Sequence, residues 1–312
     1  MASRAQRQKR FPSRMRQRST SMVVSVRVKY QIKIKGYSLR NVGPIGISAQ
    51  AKTESAVMEA IRKRDDADLE FLGQLQSEDL NDLVYCLTHD KDGSPRFTEE
   101  LTMHERYKNF SPDHHQYWEQ IAAEVQCFGA NTFATMFRGG KGVQYKEVLM
   151  DVCDKMKVNY SKNSSVEKIE SNLLMKILTD ALEKMTPEEL RELAQSTGVK
   201  NTNGVTAETM VGVFQTVFRM GGFRSYQLTT IIVNAILKAL IGRGLSFGGN
   251  ILLSKTMALL TGPIGWVITG LWTAIDVAGA AYRVTIPAVI QVAALRQKHL
   301  YQHLAQEVSF DN

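Results

Sequence analysis

Residues 281–296, "AYRVTIPAVIQVAALR", decide how this chain is read. The stretch reads as a buried helix interrupted by Arg283 and Pro287, with Asp276 just upstream. Asp276 and Arg283 stand seven apart, two helical turns, so they share a face. A charge in such apolar surroundings needs a partner or an aqueous edge, because an unpaired one costs several kcal/mol. Thr285 can cap a new helix, and Pro287 then falls in its first turn, where its missing N–H goes unnoticed. The expectation is a corner between two apolar helices at which Asp276 holds Arg283. The alternative is that Arg283 faces water at the bend.

Upstream the apolar character continues. No acidic residue occurs between Glu208 and Asp276, and the twenty residues 256–275, "TMALLTGPIGWVITGLWTAI", carry no charge. A helix of that length spans a hydrocarbon layer of ~30 Å. Gly262-Pro263 interrupts it, and proline lacks the donor a helix interior needs, so a helix restart is expected there. Gly270, Ala274 and Ala278 recur every four residues, a spacing that permits close helix approach in lipid and in a soluble bundle alike. Trp266 and Trp272 suit an interface but fall on different parts of a helix. Both environments remain open on this reading.

Charge divides the 312 residues into three parts: 1–53 with thirteen Lys/Arg and no acid, 54–208 with eighteen basic and twenty-eight acidic residues, and 209–312 with eight and three. The high pI therefore belongs to the first part, and specific nucleic-acid binding by the body is not expected. Residues 1–53 are rich in Arg and Ser, then alternate apolar and polar residues at 24–34 as a strand does. A targeting sequence, a disordered basic arm and an extended gene start all fit, and a free arm would be drawn to anionic lipid. Three dispersed cysteines, Cys86, Cys127 and Cys153, suggest a reducing compartment without disulfides.

The acidic middle is helical. Ser77 can cap a helix whose Leu80, Leu83, Val84 and Leu87 share one face, and Ser111-Pro112-Asp113 marks another start. Thr186-Pro187-Glu188-Glu189 is a capping box. Several patterns imitate chemistry. "THDKDGSPRFTE" (88–99) places Asp90, Asp92, Gly93 and Glu99 as in a calcium loop, but Thr88 and Pro95 occupy the wrong places. "FRGGKGVQYK" lacks the spacing of a phosphate loop. His114 and His115 diverge on a helix, and His299 and His303 share a face without a close acid. No catalytic, cofactor-binding or metal-ligating residue is assigned, and no cofactor is expected.

Three blocks in order carry a resemblance: "DADLEFLGQLQSEDLNDLVYCLTHDKDG", "WEQIAAEVQCFGANTFATMFRGGKGVQYKEVLMDVCDKM" and "AYRVTIPAVIQVAALR". From about Asp65 to about Arg296 the chain resembles the YaaW family of bacterial proteins, grouped distantly with the ubiquinol–cytochrome c chaperones. That resemblance implies a non-catalytic, assembly-like helper at a membrane, with a protein client or a membrane surface as partner. The expected fold is an all-α bundle with an apolar, Gly-rich helical hairpin region at 209–312, an acidic helical domain at 54–208 and a basic irregular extension at 1–53. A membrane-inserting effector and an enzyme of unknown reaction are the other functional readings. The expected location is the cytoplasm or the inner-membrane periphery of a bacterium, or a mitochondrion if residues 1–53 form a transit peptide.

Overall fold

The computed structural model describes residues 65–96, 98, 101–129, 142–246, 255–276 and 282–310; positions 129, 257, 271–276 and 304–310 are described by backbone alone. The basic extension with its alternating segment, and the glycines of 139–140, lie outside these residues. The described part belongs to one unit, Gln50–Asn312. It is all-α, with ten α-helices and three short 3₁₀ segments among the described residues. In chain order they are α1 (Ser77–Thr88), α2 (Glu105–Phe110), α3 (Trp118–Gly129), α4 (Tyr145–Lys155) and α5 (Val166–Leu182). They continue with α6 (Pro187–Ser196), α7 (Ala207–Met220), α8 (Gly222–Ile241), α9 (Lys255–Asp276) and α10 (Tyr282–Phe310).

Local chemistry starts these helices. Before α6 the Thr186 hydroxyl accepts from Glu189 N at 3.3 Å, while Thr186 N donates to Glu189 Oε2 at 2.8 Å, so the capping box forms. Ser165 and Thr206 cap α5 and α7 in the simpler way. Ser77 does not cap α1. Its hydroxyl donates to Asp113 Oδ1 and accepts from His115 N instead, tying α1 to the segment ahead of α3. Asp113 precedes a 3₁₀ turn, His114–Tyr117, rather than an α-helix. The four expected apolar residues of α1 are buried, as a stripe of that spacing requires.

α8 packs along both α9 and α10, and α10 also meets α1, α4, α5 and α3. Residues 284–296 of α10 are buried without a break, so this helix forms the middle of the core. α9 is covered by α8, α5 and α6. Leu260, Pro263, Ile264, Val267 and Ile268 are buried on its covered side.

The expected corner takes a different form. α9 runs unbroken through Gly262 and Pro263. The Pro263 ring is buried with Ile264 beside it, and that burial offsets the roughly 3 kcal/mol that an interior proline costs. α10 starts at Tyr282, so Thr285 is its fourth residue and no cap; its hydroxyl donates to Phe128 O at 3.4 Å. Pro287 is the sixth residue, past the first turn, and deprives the Arg283 carbonyl of its helical partner. Arg283 itself is exposed. No helix among the described residues is long and apolar enough to cross a membrane.

Candidate functional site

The chemistry-bearing side chains gather at a seam between the first module, residues 65–96, and the C-terminal helix α10. Tyr145 opens α4, Glu170 lies on α5 and Arg296 on α10, and each is at most 5% exposed. Tyr145 Oη donates to Glu170 Oε1 at 2.8 Å, and Arg296 Nε donates to Glu170 Oε2 at 2.9 Å. The Arg296 Nη2 reaches Asp68 O at 2.7 Å, and its guanidinium lies 4.5 Å from the centre of the Phe71 ring. Burial raises the Glu170 carboxyl pKa, against the pull of Arg296. Burial pushes the Tyr145 phenol well above its ordinary value, and the Glu170 charge adds to this. Burial is the largest influence on Arg296 and opposes its charge, but Glu170, Tyr145 and Glu167 together hold the guanidinium pKa above its usual value. A triad this closed to solvent has no route for a substrate. Its work is to fix α4, α5, α10 and the first module to one another.

The same seam carries three further ties. The residue before α4, Gln144, makes no capping bond, and Asp66 supplies one from 79 positions away. Asp66 Oδ2 accepts from Tyr145 N at 2.6 Å and from Gln126 Nε2 at 3.1 Å. Asp79 pairs with Lys298 of α10. Asp82, 1% exposed, accepts from Ser246 N at 2.6 Å, Ser246 Oγ at 2.8 Å and Arg243 Nη2 at 3.3 Å. Arg243 also stacks 4.2 Å over the Tyr85 ring. The loop that brings Ser246 here passes so close to α8 that a Cβ on Gly244 would meet Asn234 Oδ1 at 2.1 Å. In each of these ion pairs the acid comes from the acidic middle and the base from the basic last third.

The second notable surface is the outward side of α9. Ala258, Gly262, Trp266, Thr269 and Gly270 are exposed, with Trp266 at 63%. The sequence between Lys255 and Asp276 puts no charge there. Nothing lies within 4 Å of where a Cβ would stand on Gly262, Gly265 or Gly270. Among the described residues no helix therefore approaches closely at Gly270, which is exposed. The side chains of Ala274 and Asp276, and Ala278 altogether, lie outside the described residues, so the Asp276–Arg283 pairing does too.

The motifs that imitate chemistry resolve into local structure. His89 and Pro95 form one antiparallel bridge around a turn at Gly93, φ 82°, where Asp92 Oδ1 accepts from Ser94 N. His114 faces Tyr117, whereas the His115 Nδ1 donates to Leu75 O at 3.0 Å. The His299 and His303 rings stand edge to face, 4.4 Å apart. All three cysteines are buried, and burial pushes the Cys86 and Cys153 thiols up to about 12. Among the described residues no three His, Cys, Asp or Glu side chains gather as a metal site would need.

Comparison with known proteins fits this two-part arrangement. Residues 64–97 match the family described as Domain of unknown function (DUF3944), and residues 113–290 match the Ubiquinol-cytochrome C chaperone family. A UPF0174 protein of Helicobacter pylori strain J99 is 52% identical over 233 residues, 75% of this chain and 92% of the relative. The chain belongs to the UPF0174 (YaaW) family. The Escherichia coli K12 UPF0174 protein YaaW is 31% identical over 237 residues, 74% of this chain and 94% of the relative. No solved structure gives a significant match. The ties from Asp66 to Tyr145 and Gln126, and from Asp82 to Arg243 and Ser246, thus join the DUF3944 part to the chaperone-family part, while Arg296 and Lys298 lie just past the matched residues.

Local sequence does not single out Arg296, Glu170, Tyr145, Asp79, Asp82 or Lys298. One signal was present: Arg296 ends a fully uncharged run, where a charge is exposed to the same partner requirement as Arg283. Which acid meets it is not written locally, since Glu170 lies 126 positions away.

Proposed function

We propose that this protein is a non-enzymatic assembly helper that works at the cytoplasmic surface of a bacterial inner membrane. It holds an apolar segment of a protein client against the outward side of α9. The observation that carries the reading is that side itself: a solvent-facing helix with an exposed Trp266 and open glycines, free of charge over five turns. Apolar and aromatic surface without charged neighbours is the composition of a binding patch rather than of a solvated face. Kinship with the Ubiquinol-cytochrome C chaperone family supports assembly as the class of work. The bacterial relatives favour the stated location.

A photoreactive side chain in place of Trp266, in the full chain inside cells, tests this. The expected result is a cross-link to a membrane protein that Gly262→Glu abolishes. A cross-link pattern indifferent to Gly262→Glu refutes the client face. Vesicle flotation with a dye-release assay separates the effector reading: binding without leakage supports the helper, and leakage supports an inserting effector in its place.

A further inference from the structure

From the α7–α8 corner we infer a membrane-contacting edge that recognises anionic phospholipid headgroups. The inference deepens the membrane part of the proposed function and rests on it. α7 ends at Met220 and α8 starts at Gly222, with only Gly221 between them. Both glycines have positive φ, 64° and 66°, a conformation that residues with a Cβ rarely adopt. This abrupt turn leaves Met220 75% and Phe223 48% exposed. Phe223 is braced by the Tyr301 ring, 5.5 Å away, and Tyr301 stacks on Tyr226 at 5.2 Å. Leu300, 42% exposed, lies beside Tyr301 on α10. Half of the large apolar side chains that the described residues expose are therefore at this one edge.

Charge specifies the partner. Exposed Arg219 and Arg224 flank the two apolar tips, and neither makes an ion pair among the described residues. A groove of about 700 Å³ opens behind the turn, lined by Lys168, Arg219, Ser225, Gln297, Leu300 and Tyr301. One carboxylate, Glu167, also lines it, against the two cations Lys168 and Arg219. Apolar tips between arginines fit a surface whose interior is hydrocarbon and whose rim is negative, with interfacial aromatics at the boundary.

The basic residues of 1–53 also draw the chain to anionic vesicles, so total binding is not the readout. Because the native cysteines are buried, Met220→Cys can be labelled alone in the full chain with a polarity-sensitive fluorophore. With phosphatidylcholine vesicles containing phosphatidylglycerol, the label is expected to brighten and shift to the blue; with phosphatidylcholine alone it stays unchanged. Arg219→Gln with Arg224→Gln should weaken that response tenfold or more, at about fivefold per arginine. A label that stays silent while the chain floats with the vesicles overturns the corner and leaves the membrane reading standing. Failure of the unmodified chain to float on either vesicle overturns both. A label that responds to a purified client but to no vesicle overturns the lipid assignment in favour of protein docking.

Discussion

Two uncharged runs of nearly equal character meet opposite fates in this molecule. Residues 284–295 of α10 are buried on every side, whereas residues 256–270 of α9 are covered on one side and open on the other. Hydrophobicity does not separate them. What does is the number of elements around each: among the described residues α10 is enclosed by α1, α3, α4, α5 and α8 and touches α9, whereas α9 is covered by α5, α6 and α8 and touches α10. Enclosure brings a polar requirement with it. Arg296, at the end of the buried run, is matched by Glu170, Tyr145 and the Asp68 carbonyl, while the open run carries no charge to match. An apolar helix sealed into a core is thus a structural element, and one left half open is a surface with a use.

The sharpest way to break that contrast is at Arg296. Arg296→Met strands Glu170 in the core and is expected to cost about 3–5 kcal/mol in chemical denaturation. Adding Glu170→Leu should return most of it. If the double variant stays as unstable as the single one, the pair stabilises the seam beyond balancing its own desolvation. Next in size, Ile264→Ala on the covered side of α9 should cost about 2–5 kcal/mol, the usual range for a buried truncation. An unchanged midpoint would show α9 to be loosely held. Asp82→Ala removes the acceptor for Ser246 and Arg243 and should cost about 1–3 kcal/mol. Hydrogen exchange should then rise at 242–246 before it rises elsewhere.

A smaller effect is expected from pH at the edge of the seam. Burial lowers the His114 pKa, so the unfolded chain takes up the proton first on acidification. The stability this residue contributes is present above the ordinary value of 6.5 and declines as pH falls from there through the lower folded value. Melting curves of His114→Gln should lack that component; an equal decline in the variant would assign it elsewhere. Smallest of all, Trp266→Ala on the open side of α9 should change stability by about 0.5 kcal/mol or less, because its side chain is mostly in water. A loss comparable to that of Ile264→Ala would show that the outer side is not a free surface.

Much of this fold is legible in local sequence. The capping box at Thr186, the α1 stripe and the long uncharged runs all depend on residues within a few positions of one another, so their consequences are local. The helix that was expected to break at Gly262-Pro263 continues, because the covering helices bury the proline ring. Thr285 turned out to be helical rather than a cap for a related reason: α10 begins three residues earlier. Of the candidate site, the apolar face of α9 could be read in outline, through its lack of charge and its Trp266, but not which side of it would stay open. The seam could not, because its partners lie between 25 and 228 positions apart.

The amino-acid order by itself determined an all-helical chain, its caps and its segregation of acid from base. Only the tertiary structure decided that the two charge classes would interlock, acid by acid, across α10. Helix propensity and capping act between near neighbours and are fixed by composition, whereas the worth of a buried charge depends on which distant group desolvates beside it. That is a property of packing, and it also left one apolar helix with a side that the core did not cover.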